Sequence, residues 1–88
     1  MDIKSYSKNP NFRMREVNGE YYLFGEGKCF LVNQLGKIVW IAISKDITHA
    51  ELIDKINAKY VDCNKEMIEK DIDAFLQQLV SCNAIVDK

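Results

Sequence analysis

The residues able to do chemistry are few and scattered. His49 is the only histidine among 88 residues. In Thr48-His49-Ala50-Glu51 it falls in the first turn of an expected helix, exposed to solvent and with no nucleophile beside it. Asp71 and Asp73 are two positions apart, so on a helix they point in different directions and cannot work as a paired acid and base. Gly25-Glu26-Gly27 has the glycines of a phosphate loop, but no helix opens after it, and the glycines serve a turn better. Cys29, Cys63 and Cys82 are an odd number, widely spaced, with no C-x-x-C. They read as reduced, partly buried small hydrophobes, not as a disulfide framework. One histidine and three scattered cysteines also make a poor set for the roughly four ligands of a structural zinc. The expectation is a protein without catalytic residues, metal or cofactor.

Charge narrows the partners. Twelve basic and 13 acidic residues give a net charge of −1, whereas a nucleic-acid binder usually carries a basic stripe. The longest expected helix holds Glu66, Glu69, Asp71 and Asp73 against Lys65 and Lys70, which phosphates would repel. A winged-helix DNA binder is thus disfavoured. Met1-Asp2-Ile3-Lys4 lacks the apolar run of a signal peptide, and no segment approaches the roughly 20 apolar residues of a membrane span. The expected setting is the cytoplasm, with no membrane contact. Hydrophobic residues at 48% against 28% charged describe one small globular domain. A chain of this size is marginally stable and must use all its large apolar side chains.

The elements that must position any site follow from periodicity and turn residues. Residues 1–10 are polar and without period, and read as a flexible N-terminal arm. From Phe12 to Val17 the pattern alternates. Asn18-Gly19 then separates it from Glu20-Tyr21-Tyr22-Leu23-Phe24, and Asn-Gly between two β-prone runs is the strongest short hairpin signal. A turn at Gly25–Lys28 leads into Cys29-Phe30-Leu31-Val32. The turns set Val17 opposite Glu20, Met14 opposite Leu23, and Leu23 in turn opposite Phe30. One face of this sheet carries Phe12, Met14, Tyr21, Leu23, Phe30 and Val32 toward the core. The other carries Arg13, Arg15, Tyr22, Phe24 and Leu31.

Three helices follow. Asn33 caps residues 34–43, with Leu35, Ile38, Val39 and Ala42 on one side and Trp40 flanking it. Gly36 inside that helix costs about 1 kcal/mol relative to alanine, which points to close backbone packing. The Thr48–Glu51 capping box opens a second helix through Lys59, with Leu52, Ile53 and Ile56 as its apolar stripe. The third helix starts near Asn64 and ends near Cys82. Ile68, Ile72, Phe75 and Leu79 share its core face, and Asn83 is suited to a left-handed cap. Ile85-Val86 either returns as a short strand or packs without pairing. The fold class is α+β: a three-stranded antiparallel sheet followed by three helices, with winged helix-turn-helix proportions.

In this order the run Cys29–Val32 is an edge strand, apolar and without the lysine or proline that would blunt pairing along its middle. Either the chain's own first strand or C-terminal segment covers it, or an extended peptide adds there as a further strand. An alternative is a small scaffold or dimerising subunit that binds a protein through Tyr22, Phe24 and Leu31. Monomer and weak homodimer are both open, because an exposed strand can pair with its own copy.

Asn9-Pro10 before the first hairpin, Phe30-Leu31-Val32-Asn33 with Gly36 and Trp40 after it, and Asp71-Ile72-Asp73-Ala74-Phe75-Leu76-Gln77-Gln78-Leu79 together resemble the PqqD-like family. This family is also called the RiPP recognition elements. The resemblance runs from about Asn9 to Val86 and rests on the order and spacing of these motifs. Ser44-Lys45-Asp46 stands where the family often has Asp-Gly, and Asn83-Ala84 where a glycine is common. The resemblance implies a peptide-recognition domain over residues 11–88 that takes the leader of a ribosomally made precursor peptide as an added strand. It would present that peptide to a separate modifying enzyme, a radical SAM enzyme or, in lasso peptide pathways, a leader peptidase. Carried onto this chain, the backbone of Cys29, Phe30, Leu31 and Val32 would pair with the leader. Which flank of the third helix faces that strand is a choice made on geometry. The side bearing Met67, Asp71, Ala74 and Gln78, with Phe75, mixes apolar surface with polar anchors as a peptide groove should and is taken over the side bearing Leu76 and Val80.

Overall fold

The computed structural model describes residues 4–43 and 46–87. Its elements run β1 (Ser5–Lys8), β2 (Arg13–Val17), β3 (Glu20–Gly25), β4 (Lys28–Val32), α1 (Gln34–Ala42), β5 (Ile47–Thr48), α2 (His49–Asn57), α3 (Lys65–Ser81) and β6 (Ile85–Asp87). The fold is α+β. It has two three-stranded antiparallel sheets, β2-β3-β4 and β5-β1-β6; α1 links the first to the second, and α2 and α3 lie between β5 and β6 in sequence. Among the described residues no helix is long and apolar enough to cross a membrane.

The hairpin sheet follows from its turns. Asn18 and Gly19 both have positive φ, 52° and 84°, the type I′ geometry whose twist matches the strands it joins. Val17 therefore faces Glu20, and Met14 faces Leu23. Glu26 and Gly27 repeat the device with φ of 49° and 77°, pairing Phe24 with Cys29 and Leu23 with Phe30. The inward face matches the alternation: Phe12, Leu23 and Val32 are buried, and Met14, Tyr21 and Phe30 pack half-buried against them.

The helix ends have the caps their sequences announce. Asn33 Oδ1 accepts from Gly36 N at 2.8 Å, and the Thr48–Glu51 capping box is complete. Asn64 Oδ1 accepts from Glu66 N and Met67 N. Asn83 sits at φ 68°, with Asn83 N donating to Val80 O and Ala84 N to Leu79 O, a Schellman closure of α3.

The second sheet corrects several expectations. Residues 5–8 of the supposed flexible arm are strand β1, the central strand of the second sheet, paired with β5 on one side and β6 on the other; residues 1–3 lie outside the described residues. Tyr6 is buried, and Asn9 N donates to Ala84 O at 2.9 Å. Burial of one aromatic and a double backbone ladder outweigh the polar composition of Ser5-Tyr6-Ser7-Lys8. Ile85–Asp87 is a strand, the partner β1 needs.

This sheet also redistributes helix burial. On α3 the fully packed residues are Ile72, Leu76 and Leu79, while Ile68 and Phe75 are half-buried. Leu76 is inside because β6 and β1 cover the flank a single sheet would have left bare. On α1 the buried line is Gly36, Val39 and Trp40, continuing to Ile43, and Leu35, Ile38 and Ala42 are half-buried. Trp40 belongs to the core here, with the Lys8 ammonium 4.6 Å from its ring centroid. Cys29 and Cys63 are exposed and only Cys82 is half-buried, so two of the three cysteines are not the packed hydrophobes their composition suggests. Ser44 and Lys45, in the loop that departs from the family pattern, lie outside the described residues.

Deleting residues 1–10 therefore removes a central strand, not an arm. The expected outcome is loss of the cooperative thermal transition, read by circular dichroism. An unchanged melting temperature would mean that β1 contributes nothing.

Candidate functional site

Among the described residues, β4 pairs only with β3, so its outer side is an open edge. Which groups it offers follows from the turn. The two-residue Glu26-Gly27 loop makes Gly25 and Lys28 the hydrogen-bonded pair that closes it, and pairs then alternate along the ladder. Lys28, Phe30 and Val32 consequently direct their N–H and C=O toward β3. Cys29 and Leu31 direct theirs outward, giving two donors and two acceptors along the edge.

The spacing between this edge strand and α3 is set by α1. Gly36 is wedged between β4 and α3: a Cβ built on it would stand 2.5 Å from Val32 Cγ1 and 3.0 Å from Phe75 Cζ. With only hydrogen there, the strand and the helix both approach the α1 backbone. At the other end, Lys28 Nζ donates to Cys82 O at 3.0 Å, tying the start of β4 to the C-cap of α3. From Lys28 to Val32 a strand rises about 13 Å, and from Phe75 to Cys82 a helix rises about 10 Å. The two ends match, so α3 runs back alongside β4 in the opposite direction, with the Lys28 side chain taking up the difference.

Polar contacts fix the corner. Asn9 Nδ2 donates to Glu26 Oε2 and to Asn83 O, each at 2.8 Å, and Asn11 Nδ2 donates to Glu26 Oε2 at 3.4 Å. Asn9 Oδ1 accepts from Asn11 N at 3.0 Å. The β3–β4 turn, the β1–β2 link and the end of α3 are thus joined through the Asn9 side-chain amide. These hydrogen bonds, from Asn9 first and Asn11 second, hold the Glu26 carboxyl below its ordinary value of 4.5.

The nine residues singled out as peptide-binding are distributed as follows. Cys29 and Leu31 project from the outer sheet face, Leu31 being 59% exposed, so only their backbone reaches the edge. Val32 is buried, and its side chain is part of the core. Phe30 and Phe75 are half-buried, the latter with its ring against Gly36. Asp71, Ala74 and Gln78 are exposed on the α3 turns around Phe75, and Met67 is 63% exposed one turn earlier. Leu76 and Val80 lie on the opposite flank, lining a different concavity with Tyr6. Lys28, Asn9 and Glu26 were not among the expected site residues. Their partners lie 17 to 74 positions away, and no local pattern signals such contacts. Gly36 was signalled, by its cost inside a helix.

His49 is not the free, exposed side chain that its position suggests. Its Nε2–H donates to Asp73 Oδ1 at 2.9 Å, and its ring lies 6.1 Å from that of Tyr6. Asp71 stays exposed, one turn before Phe75, while Asp73 turns toward His49 of α2, as two-residue spacing on a helix requires.

Two outcomes follow. Gly36→Ala should lower stability in urea by about 1–3 kcal/mol through overpacking against β-branched Val32, despite the gain in helix propensity; a stabilised variant would mean that the close approach is slack. Because the folded value of Glu26 is depressed, its contribution is complete above 4.5 and is lost as pH falls through the folded value. The difference in melting temperature between the native chain and Glu26→Gln should therefore be largest near neutrality and shrink as pH drops below 4.5. A constant difference would show the carboxylate to be idle.

Comparison with known proteins agrees with this architecture. A solved structure described as "TbiB1 in Complex with the TbiA(beta) Leader Peptide" superposes with a TM-score of 0.72 at 20% sequence identity, covering 90% of this chain and 93% of that one. At that identity the likeness is one of fold. No curated protein matches the chain. The family model described as "Coenzyme PQQ synthesis protein D (PqqD)" matches residues 14–85, a span from the first hairpin strand to the start of β6, and the chain belongs to the PqqD family.

Proposed function

We propose that this protein is a non-catalytic recognition module that binds the leader region of a ribosomally made precursor peptide as a fourth strand on β4 and presents the peptide to a separate modifying enzyme. The observation that carries this reading is the open edge of β4, with the outward backbone groups of Cys29 and Leu31, held at a set distance from α3 by Gly36. Family membership supports it, as does a structure of similar fold that holds a leader peptide. Main-chain hydrogen bonds give such a complex its affinity, and alternate side chains turned toward α3 give it selectivity. Phe30 and Phe75 supply the apolar floor, Ala74 leaves room above them, and Asp71, Gln78 and Met67 form the rim. The enzyme that acts on the peptide is a radical SAM enzyme or a lasso-type leader peptidase.

A titration of the labelled protein with its leader peptide tests this. Amide shifts should cluster at residues 28–33 and 67–78. In hydrogen exchange, Cys29 and Leu31 should gain protection, while Phe30, whose N–H already faces β3, should change little. Ala74→Glu, at an exposed position, should weaken binding at least tenfold, about 1.4 kcal/mol, with an unchanged thermal transition. Phe30→Asp should also weaken binding, with some loss of stability because Phe30 is half-buried. Shifts confined to Tyr22, Phe24 and Leu31 on the outer face would favour a scaffold that binds a protein there and would displace the present reading.

A further inference from the structure

The flank of α3 that faces away from β4 carries a second concavity of about 770 Å³, between α3, the first turn of α2 and the β1 and β6 strands. Its floor is apolar, with Leu76 and Val80. Its walls bring together two carboxylates distant in sequence, Asp73 on α3 and Asp87 on β6, and between them lies Tyr6. Tyr6 is 3% exposed, yet its hydroxyl makes no hydrogen bond among the described residues. The ring is packed in the core while the hydroxyl opens on the pocket, where it is free to donate and to accept. The Tyr6 hydroxyl is held above its ordinary value by burial first, then by the charges of Asp73 and Asp87, as expected if both carboxylates face it.

The pocket's own cations do not fill it. Lys4 Nζ reaches Asp87 Oδ2 only at 4.0 Å, with both side chains well exposed. His49 donates one N–H to Asp73 and leaves that carboxylate's second oxygen free. The α2 N-terminus does not compete for an anion, because His49 N already donates to Lys4 O and Glu51 N to Thr48 Oγ1.

We propose that this pocket receives the arginine side chain of a second protein, its stem on Leu76 and Val80 and its guanidinium spanning Asp73, Asp87 and the Tyr6 hydroxyl. A planar fork of five donors suits two carboxylates and a hydroxyl presented from different elements. The site is independent of the peptide reading, since it lies across α3 from β4 and stands whether or not β4 takes a strand.

The test is an amide-shift titration of the full chain with N-acetyl-arginine methylamide and with the citrulline counterpart, which keeps the shape but not the charge. The arginine probe should saturate, with shifts at residues 48–50, 73–77 and 85–87. The citrulline probe should bind about tenfold more weakly, the scale of a charge-assisted contact. The double variant Asp73→Asn/Asp87→Asn should lose arginine binding by at least the same factor. Because that variant also alters the His49 contact, Tyr6→Phe is the second arm; it removes only the hydroxyl and should weaken the arginine probe severalfold with the fold unchanged. Equal responses to arginine and citrulline, or shifts that fall along β4 instead, would overturn the proposal.

Discussion

The hydrogen atom that stands in place of a side chain at position 36 sets the geometry on which the rest depends. It lets the α1 backbone sit between Val32 of β4 and Phe75 of α3, a contact too close for any Cβ. An edge strand and a helix that share no covalent link nearer than 32 residues are thereby held side by side. Protein interiors are packed densely enough that such a spacing is stiff. The separation of β4 from α3 at this point is a consequence of packing.

The second sheet explains why only one flank of α3 faces open ground beside a strand. β1 brings Tyr6 into the core and carries β6 with it, so that Leu76 and Leu79 are closed in from that side. Phe75, one position from Leu76, is left half-buried toward β4. The two flanks differ in character. The β4 side joins aromatic floor to open backbone groups, while the other joins Tyr6 to a pair of carboxylates. Between the two sheets, the corner built on Asn9, Glu26 and Asn83 converts three turns into one joint. Its members sit at turn positions where left-handed backbone is already required, at Glu26 and Asn83, and their side chains or carbonyls are free to bond outward.

Much of this architecture could be read without coordinates. Asn18-Gly19 and Glu26-Gly27 dictate two tight turns, and with them the register that places Leu23 and Val32 inside and Leu31 outside. Thr48 with Glu51, Asn33, Asn64 and Asn83 mark helix ends by local hydrogen bonds that the chain makes with itself. Gly36 announced a close approach, though not with what. The α3 stripe was legible in period but not in phase: Phe75 and Leu76 are apolar neighbours, and periodicity cannot say which is packed when a second sheet covers one flank.

Local interactions therefore determined the hairpins and the caps, because turn stereochemistry and i to i+3 contacts act within a few residues; that β4 keeps an open edge was decided by β1 and β6 pairing with each other instead. Tertiary structure alone decided that Ser5–Lys8 is a central strand, that Lys28 reaches the end of α3, and that His49 meets Asp73. Each of these joins residues 24 to about 80 positions apart, and the free energy that holds them comes from burial shared across the whole core, to which no short segment of sequence testifies.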